Sequence, residues 1–328
     1  MTTTIGWGIL GTGYIATEFT QDLLGSGIHI AAVGSRTQES ADAFAAQHGI
    51  ATAHGSYEAL VADPAVDVIY VSTPHPFHAA NATLALNAGK HVLVEKAFTL
   101  NATEAREIIE LAESKGLVIL EAMWTRWLPH MVHLREIIAA GTLGDVRTIL
   151  ADHNQKLPSD PSHRLNDPAL GGGALLDLGI YPISFATDIL GLPSTVLAHS
   201  SPTVTGVDRQ TAIILGYADG QQAVLHTALD AQGPNTASVI GTEGRIEIEA
   251  VWYSPTAFTV YNSDDEVLER YESAVEHRGM QFQAWEVERL IADGHAPSDI
   301  LPPSETLAIM GILDEVRSQI GLRYPGDR

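Results

Sequence analysis

Gly8-Ile9-Leu10-Gly11-Thr12-Gly13-Tyr14-Ile15-Ala16 is the stretch that decides the fold of this chain. Read from Gly11 it is G-x-G-x-x-A, set after an apolar run (Ile5, Trp7, Ile9, Leu10) and ahead of a helical pattern (Ile15, Phe19, Leu23). A strand before and a helix after are the context that a dinucleotide site requires. Gly11 permits the tight turn, Gly13 lets the backbone approach a pyrophosphate, and Ala16 lets the helix pack close to the strand. The first N–H groups of the helix, with their partial positive charge, then face the phosphates. Gly11, Gly13, Tyr14 and Ile15 are therefore candidate cofactor-binding residues.

Outward from this turn, strand and helix patterns alternate. Strand-like runs fall at Ile5–Leu10, Ile28–Ser35, Val66–Ser72, His91–Glu95 and Leu117–Met123. Helix-like runs lie between them, at Tyr14–Leu24, Glu39–His48, Phe77–Ala88 and Ala102–Lys115. Gly49, Gly89 and Gly116 stand where helices should stop. Asn101 followed by Glu104 resembles a capping box. Such alternation predicts an α/β doubly wound parallel sheet, a Rossmann domain over residues 1–123. After residue 124 the texture changes. A helix (Met131–Ala140), a strand (Val146–His153), a polar loop (Gln155–Leu170) and a long helix beginning near Gly173 lead into successive strands from Val196 to Tyr271. Helices Met280–Ala292 and Ser304–Ile320 close the chain. Residues 124–328 thus read as an α+β substrate-binding and oligomerisation domain with a large, mostly antiparallel, open-faced sheet.

Composition removes several function classes. Lys and Arg number 18 against 40 Asp and Glu, a formal net charge of −22 in 328 residues. That surface repels nucleic acid and anionic membranes, so neither is an expected partner. No cysteine is present, which excludes disulfides, thiolate metal sites and a cysteine nucleophile and suits a reducing cytoplasm. No basic stretch leads into an apolar core at the start, and no apolar run approaches membrane-spanning length. A cytoplasmic location is expected.

The second strand-like run ends in Val33-Gly34-Ser35-Arg36-Thr37, with no acid before Glu39. NAD-binding members of this fold place a carboxylate for the ribose 2′-OH about 20 residues past the glycines. Here Ser35 and Arg36 can instead receive a 2′-phosphate, while Thr37 caps the next helix. NADP(H) is the preferred cofactor and NAD(H) the alternative.

Three later segments carry chemistry. Ser72-Thr73-Pro74-His75-Pro76-Phe77-His78 lies at the carboxyl end of a strand, the edge where open α/β sheets bind ligands. Thr73, Pro74, His75 and His78 are candidate cofactor contacts. The two histidines lack a carboxylate or third histidine to complete a metal set, so no metal is expected. Glu95-Lys96 ends the next strand and places an ammonium at the same edge. Gly171-Gly172-Gly173-Ala174-Leu175-Leu176-Asp177-Leu178-Gly179-Ile180-Tyr181 puts a carboxylate and a phenol four apart, and so on one helix face.

Together these segments resemble the Gfo/Idh/MocA oxidoreductase family. Gly241-Thr242-Glu243-Gly244-Arg245-Ile246-Glu247-Ile248 and the closing Ile312-Leu313-Asp314-Glu315-Val316-Arg317…Gly321…Tyr324-Pro325 belong to the same resemblance, which covers nearly the whole chain. Glu121-Ala122-Met123-Trp124-Thr125-Arg126 and Tyr181 are similar to the branch holding dimeric dihydrodiol dehydrogenases and NADP-dependent D-xylose dehydrogenases. The resemblance implies that Lys96 and Tyr181 form the catalytic pair. Tyr181 would exchange a proton with the substrate oxygen, and Lys96 would hydrogen-bond that oxygen. It also implies that Asp177 orients the substrate or Lys96, that Glu95, Trp124 and Arg126 belong to the cofactor site, and that the chain forms a homodimer. The sequence departs from the family at Ala97, where most members have the proline that restricts the preceding residue. The implied function is hydride transfer between NADP and a secondary alcohol of a sugar or related polyol. Dihydrodiol oxidation to a catechol, a nucleotide-retaining glycosidase and a non-catalytic NADP-binding protein are the alternatives.

Overall fold

A computed structural model describes residues 4–294 and 297–327. The chain divides into two units, one joining Met1–Trp124 to Arg278–Leu307, the other joining Thr125–His277 to Ala308–Arg328.

In the first unit the elements are β1 (Trp7–Leu10), α1 (Tyr14–Gly25), β2 (Ile30–Gly34), α2 (Gln38–His48), β3 (Ala53–His54), α3 (Tyr57–Val61), β4 (Val68–Val71), α4 (His78–Asn87), β5 (His91–Glu95), α5 (Ala102–Lys115) and β6 (Ile119–Ala122). The sheet order is β3-β2-β1-β4-β5-β6 and every pairing is parallel. This is the doubly wound order, with its switch point between β1 and β4. All residues of β1, β2 and β4 are buried, as continuous apolar strands covered on both faces must be. α2 and α5 end at Gly49 and Gly116, both left-handed. Glu104 N donates to Asn101 Oδ1 at 3.0 Å, but the Glu104 carboxylate accepts from Leu100 N, one residue before the position a capping box uses.

β3 and α3 are additions to the sequence reading. They are two and five residues long, too short to express a period. A larger difference concerns Arg278–Leu307, which sequence reasoning placed with everything after residue 124. It groups with the first unit through α8 (Gln281–Ala292). Arg278 Nε reaches Glu18 at 2.7 Å, Met280 N donates to Asp22 at 2.7 Å, and Trp7 Nε1 donates to Glu288 at 3.0 Å. Those partners lie more than 250 residues apart in sequence, so no local pattern announces them.

The second unit holds α6 (Pro129–Ala139), β7 (Val146–Asn154), α7 (Ile180–Leu190) and β8 (Thr195–Pro202) to β14 (Val267–Tyr271), with β9 (Asp208–Gly216), β10 (Gln222–Ala228), β11 (Ala237–Gly241), β12 (Gly244–Ile248) and β13 (Phe258–Asn262) between. Helix α9 (Pro303–Ile320) supplies the closing segment. The eight-stranded sheet runs β14-β13-β12-β11-β7-β10-β9-β8, antiparallel except where β10 meets β7. One face is uncovered. Leu197, Ile214, Val224 and Leu150 stand in register across four strands of it, and all four are exposed. Contrary to the sequence reading, one described helical run, Pro168–Leu190, is long and apolar enough by length and composition to cross a membrane. It is mostly buried, and its apolar length comes from packing against the sheet.

Phe19 anchors the first unit. Its ring stacks on Tyr70 with centroids 3.8 Å apart and meets Trp7 edge-on at 5.7 Å. All three are fully buried. We predict that Phe19→Ala lowers the unfolding free energy of the first unit by about 3–5 kcal/mol. Urea unfolding of the cofactor-free protein, followed by tryptophan fluorescence, measures it. A loss below about 1 kcal/mol would contradict the assigned packing.

Candidate active site

The register of the first sheet brings its sequence-predicted residues to one edge. Leu10 pairs with both Gly34 and Val71, Val71 with Val94, and Glu95 with Ala122. The turns that follow these residues carry Gly11–Gly13, Ser35–Arg36, Thr73–Pro74, Lys96 and Trp124. Gly11 has φ +111, and a Cβ there would lie 2.8 Å from Ser72 Oγ. A Cβ on Gly13 would meet nothing within 4 Å. Helix α1 starts at Tyr14 with no side-chain cap and no acid in its first turn. Uncapped N–H groups beside open space fit a pyrophosphate. Tyr14 is exposed, and its hydroxyl accepts from Arg278 at 2.5 Å. Ile15 is half-buried.

At the end of β2, Ser35 is buried with its hydroxyl 3.4 Å from Thr12 Oγ1, and Arg36 is exposed. Thr37 caps α2 by accepting from Ser40 N. The capping role and the exposed cation coexist, as the sequence allows.

His78 opens α4. It is buried, with Nε2 at 2.6 Å from Thr73 O and Nδ1 at 2.9 Å from Ala97 O. Both ring nitrogens lie beside backbone carbonyls of this unit; the neutral imidazole donates to one of them, and the ring packs between the turn after β4 and the end of β5. Burial pushes its pKa down to about 4, against the opposing pull of those backbone bonds. His75 is buried beside it, ring centroids 5.6 Å apart. Thr73 Oγ1 accepts from Asn81 at 3.2 Å. Among the described residues no three His, Cys, Asp or Glu gather as metal ligands.

Lys96 sits on a backbone fixed by carboxylates. Glu95 is buried; its Oε1 accepts from Tyr70 OH at 2.5 Å and its Oε2 accepts from Lys96 N at 3.1 Å. Beyond the cis Lys96–Ala97 peptide, Phe98 N donates to Glu121 Oε1 at 3.1 Å. With His78 beside Ala97 O, three side chains hold this turn. Trp124 is buried after β6.

In the second unit Arg126 is buried. Its guanidinium donates to Ser184 Oγ at 2.9 Å, Ser184 O at 2.8 Å and Thr187 Oγ1 at 3.1 Å, and pairs with Asp188 at 3.0 Å. Arg135 pairs with the other oxygen of Asp188 at 2.8 Å. A buried cation needs such partners, and here α7 provides them. Arg126 is thus part of the packing of α6 and α7.

Residues Leu175–Gly179 are π-helical, so the α-helical spacing argument for Asp177 and Tyr181 does not hold as stated. Pro182 has no N–H to give the Leu178 carbonyl, and its ring crowds that carbonyl; the wider turn ahead of it accommodates both effects. Asp177 is buried and accepts from Arg164 at 3.3 Å. Tyr181 is buried edge-on to His153, centroids 4.9 Å apart, and His153 stacks on Tyr253 at 3.7 Å. Gln155 Nε2 lies 2.8 Å from His153 Nε2. Sequence reasoning missed Tyr70, His153 and Tyr253. Alternation along β7 signals only that His153 faces inward.

A parallel sheet with an uncapped glycine turn at its switch point, and a lysine on the same edge, defines a nicotinamide dinucleotide-binding oxidoreductase. Residues 5–122 match the oxidoreductase family with NAD-binding Rossmann fold, and residues 131–247 match the GFO/IDH/MocA C-terminal domain. The chain belongs to the Gfo/Idh/MocA family, as the motifs implied. It is 38% identical over 332 residues to trans-1,2-dihydrobenzene-1,2-diol dehydrogenase of Bos taurus, covering 98% of each chain. It is 35% identical over 366 residues to D-xylose 1-dehydrogenase (NADP(+)) of Hypocrea jecorina, covering 98% of this chain and 93% of that one. Among solved structures, aldose-aldose oxidoreductase from Caulobacter crescentus, complexed with glycerol, has a TM-score of 0.86 and 26% identity, covering 96% of this chain and 97% of that one.

The His78 brace gives a pH signature. Its folded pKa of about 4 lies below the ordinary 6.5, so the unfolded chain binds more protons between those values. Stability from this group is therefore present above about pH 6.5 and is lost as pH falls toward 4. Between pH 7 and pH 5 wild type should lose about 1–2 kcal/mol more than His78→Gln in urea unfolding. Equal losses would contradict a buried neutral imidazole.

Proposed function

We propose that this chain is an NADP(H)-dependent dehydrogenase that oxidises a secondary alcohol of an aldose or related polyol. The observation that carries this reading is end-to-end similarity to dehydrogenases named for a sugar and for a cyclic diol. Dihydrodiol oxidation is the second reading, favoured by the 38% identical relative, and it needs the same residues. A nucleotide-retaining glycosidase and a pure binder are weaker readings. The Lys96, Asp177 and Tyr181 trio has no use in a binder.

The nicotinamide cofactor, when bound, supplies hydride transfer. Gly11, Gly13 and the α1 N-terminus would hold its diphosphate, and Ser35 and Arg36 its 2′-phosphate. NAD(H) would lack the phosphate that pairs with Arg36. Tyr181 exchanges the hydroxyl proton of the substrate. Lys96 donates a hydrogen bond to the same substrate oxygen and stabilises negative charge there. Asp177, steadied by Arg164, orients the substrate.

A homodimer through the open sheet face suits the row Leu197, Ile214, Val224 and Leu150, which would otherwise stay in water. The acidic surface, with a net charge of −22, argues against nucleic acid and anionic membranes as partners, and the cysteine-free composition suits the cytoplasm.

Arg36→Ala should raise the KM for NADP at least about tenfold while changing that for NAD less than about twofold. Equal effects would remove Arg36 from 2′-phosphate binding. Lys96→Ala and Tyr181→Phe should each lower kcat by about 100-fold or more, with NADP affinity retained in fluorescence titration. Near-normal turnover in both would defeat the mechanism. Ile214→Lys should convert the dimer to monomer by light scattering; an unchanged mass would place the interface elsewhere.

A further inference from the structure

The helical run opened by the triple glycine starts inside the protein. Ala174 and Leu175 are fully buried, so its first N–H groups have no water to bond. The residue in the capping place is Gly173, which has no side chain. The partner comes from another element. Asp208, first residue of β9, accepts from Leu175 N at 2.8 Å and from Thr211 Oγ1 at 2.8 Å, both on Oδ2. Asp208 is itself 2% exposed, and its Oδ1 makes no hydrogen bond. Gly173 has φ +122, and a Cβ there would fall 2.1 Å from that Oδ1. The carboxyl in this position therefore requires a glycine at 173. A second tie lies alongside: Tyr324 OH donates to Gly172 O at 2.7 Å.

We propose that Asp208 is a positioning residue. Acting from β9, its carboxyl fixes the start and rotation of the helical segment that carries Asp177 and Tyr181, and so sets where the Tyr181 hydroxyl stands. The proposal rests on the reading of Tyr181 as the proton-exchanging group. Leu175, the residue held, is two positions before Asp177 and six before Tyr181. Gly171, Gly172 and Gly173, which precede the helix, have no side chain to cap it. Burial pushes the Asp208 pKa up to about 7, against the hydrogen bonds from Thr211 and the backbone. The titratable group facing it is Tyr324, with Arg317 and Asp327 behind. Oδ2 can accept both hydrogen bonds in either protonation state, so the positioning role does not depend on charge.

The test compares Asp208→Ala and Asp208→Asn in wild-type and Tyr181→Phe backgrounds, with D-xylose and NADP. Asp208→Ala should lower kcat by about 10- to 100-fold, leave the KM for NADP within about twofold, and add less than about twofold when Tyr181 is already Phe. Asp208→Asn keeps the acceptor and should stay within about threefold of wild type. In parallel, tyrosine-ring carbon resonances of the cofactor-free protein are recorded, with that of Tyr181 assigned by its loss in Tyr181→Phe. Asp208→Ala should shift the Tyr181 signal and Asp208→Asn should leave it in place. An unmoved signal, or an equal kcat loss in both backgrounds, overturns the proposal. If Tyr181→Phe itself turns over normally, the functional reading fails, and the resonance alone decides the positioning. Should Asp208→Ala not fold, Thr211→Val removes one of the two donors and takes its place in both measurements.

Discussion

Backbone N–H groups without intrahelical partners at two helix starts organise this chain. Each helix begins after glycines and each leaves its first donors unpaired by local side chains. At Gly13 the space is open and no acid stands in the first turn, so the donors remain for an anion from outside. At Gly173 the space is filled by Asp208, so the Leu175 donor is satisfied from within. The same backbone problem is solved once as a binding site and once as an internal fixture. The first is the proposed cofactor platform, and the second holds the residues proposed to act on substrate.

The lysine turn follows a related logic. Hydrogen bonds from Lys96 N to Glu95 and from Phe98 N to Glu121, with the His78 ring beside Ala97 O, supply the restraint that a proline would give at position 97. Behind them stand Tyr70 and Phe19, which carry the restraint into the core. Placement of Lys96 is thus a property of the whole strand layer and not of its own tripeptide. This is why Ala97 is compatible with the family architecture.

How much of this could be read from sequence depended on range. The first sheet was legible because each strand, helix and stop signal spans a few residues, as in β5 (His91–Glu95) and α5 (Ala102–Lys115), which fall at the expected bounds. The same local signals located the glycine turn, Arg36 and Thr37. Pairings across the chain left no such trace. Nothing near Arg126 shows that its partners are Ser184 and Asp188, and nothing near Gly173 shows that its cap is Asp208. The π-helical turn was also hidden, because spacing arguments assume an α-helix and its cause, Pro182, lies beyond the residues being spaced. Length and apolarity were underread in one place, Pro168–Leu190, where a buried core helix has the composition of a membrane span.

The central claim is that this chain moves a hydride between a carbinol carbon and an exchangeable NADP. It is tested most directly by giving the protein D-xylose carrying deuterium at its anomeric carbon, and in parallel a ring-deuterated dihydrodiol, with NADP. The released nucleotide is then analysed by mass spectrometry. The account predicts deuterium on C4 of the nicotinamide in NADPH free in solution, in step with product. Unlabelled nucleotide under conditions where NADP binds, or bond cleavage with the nucleotide retained on the protein, would contradict it.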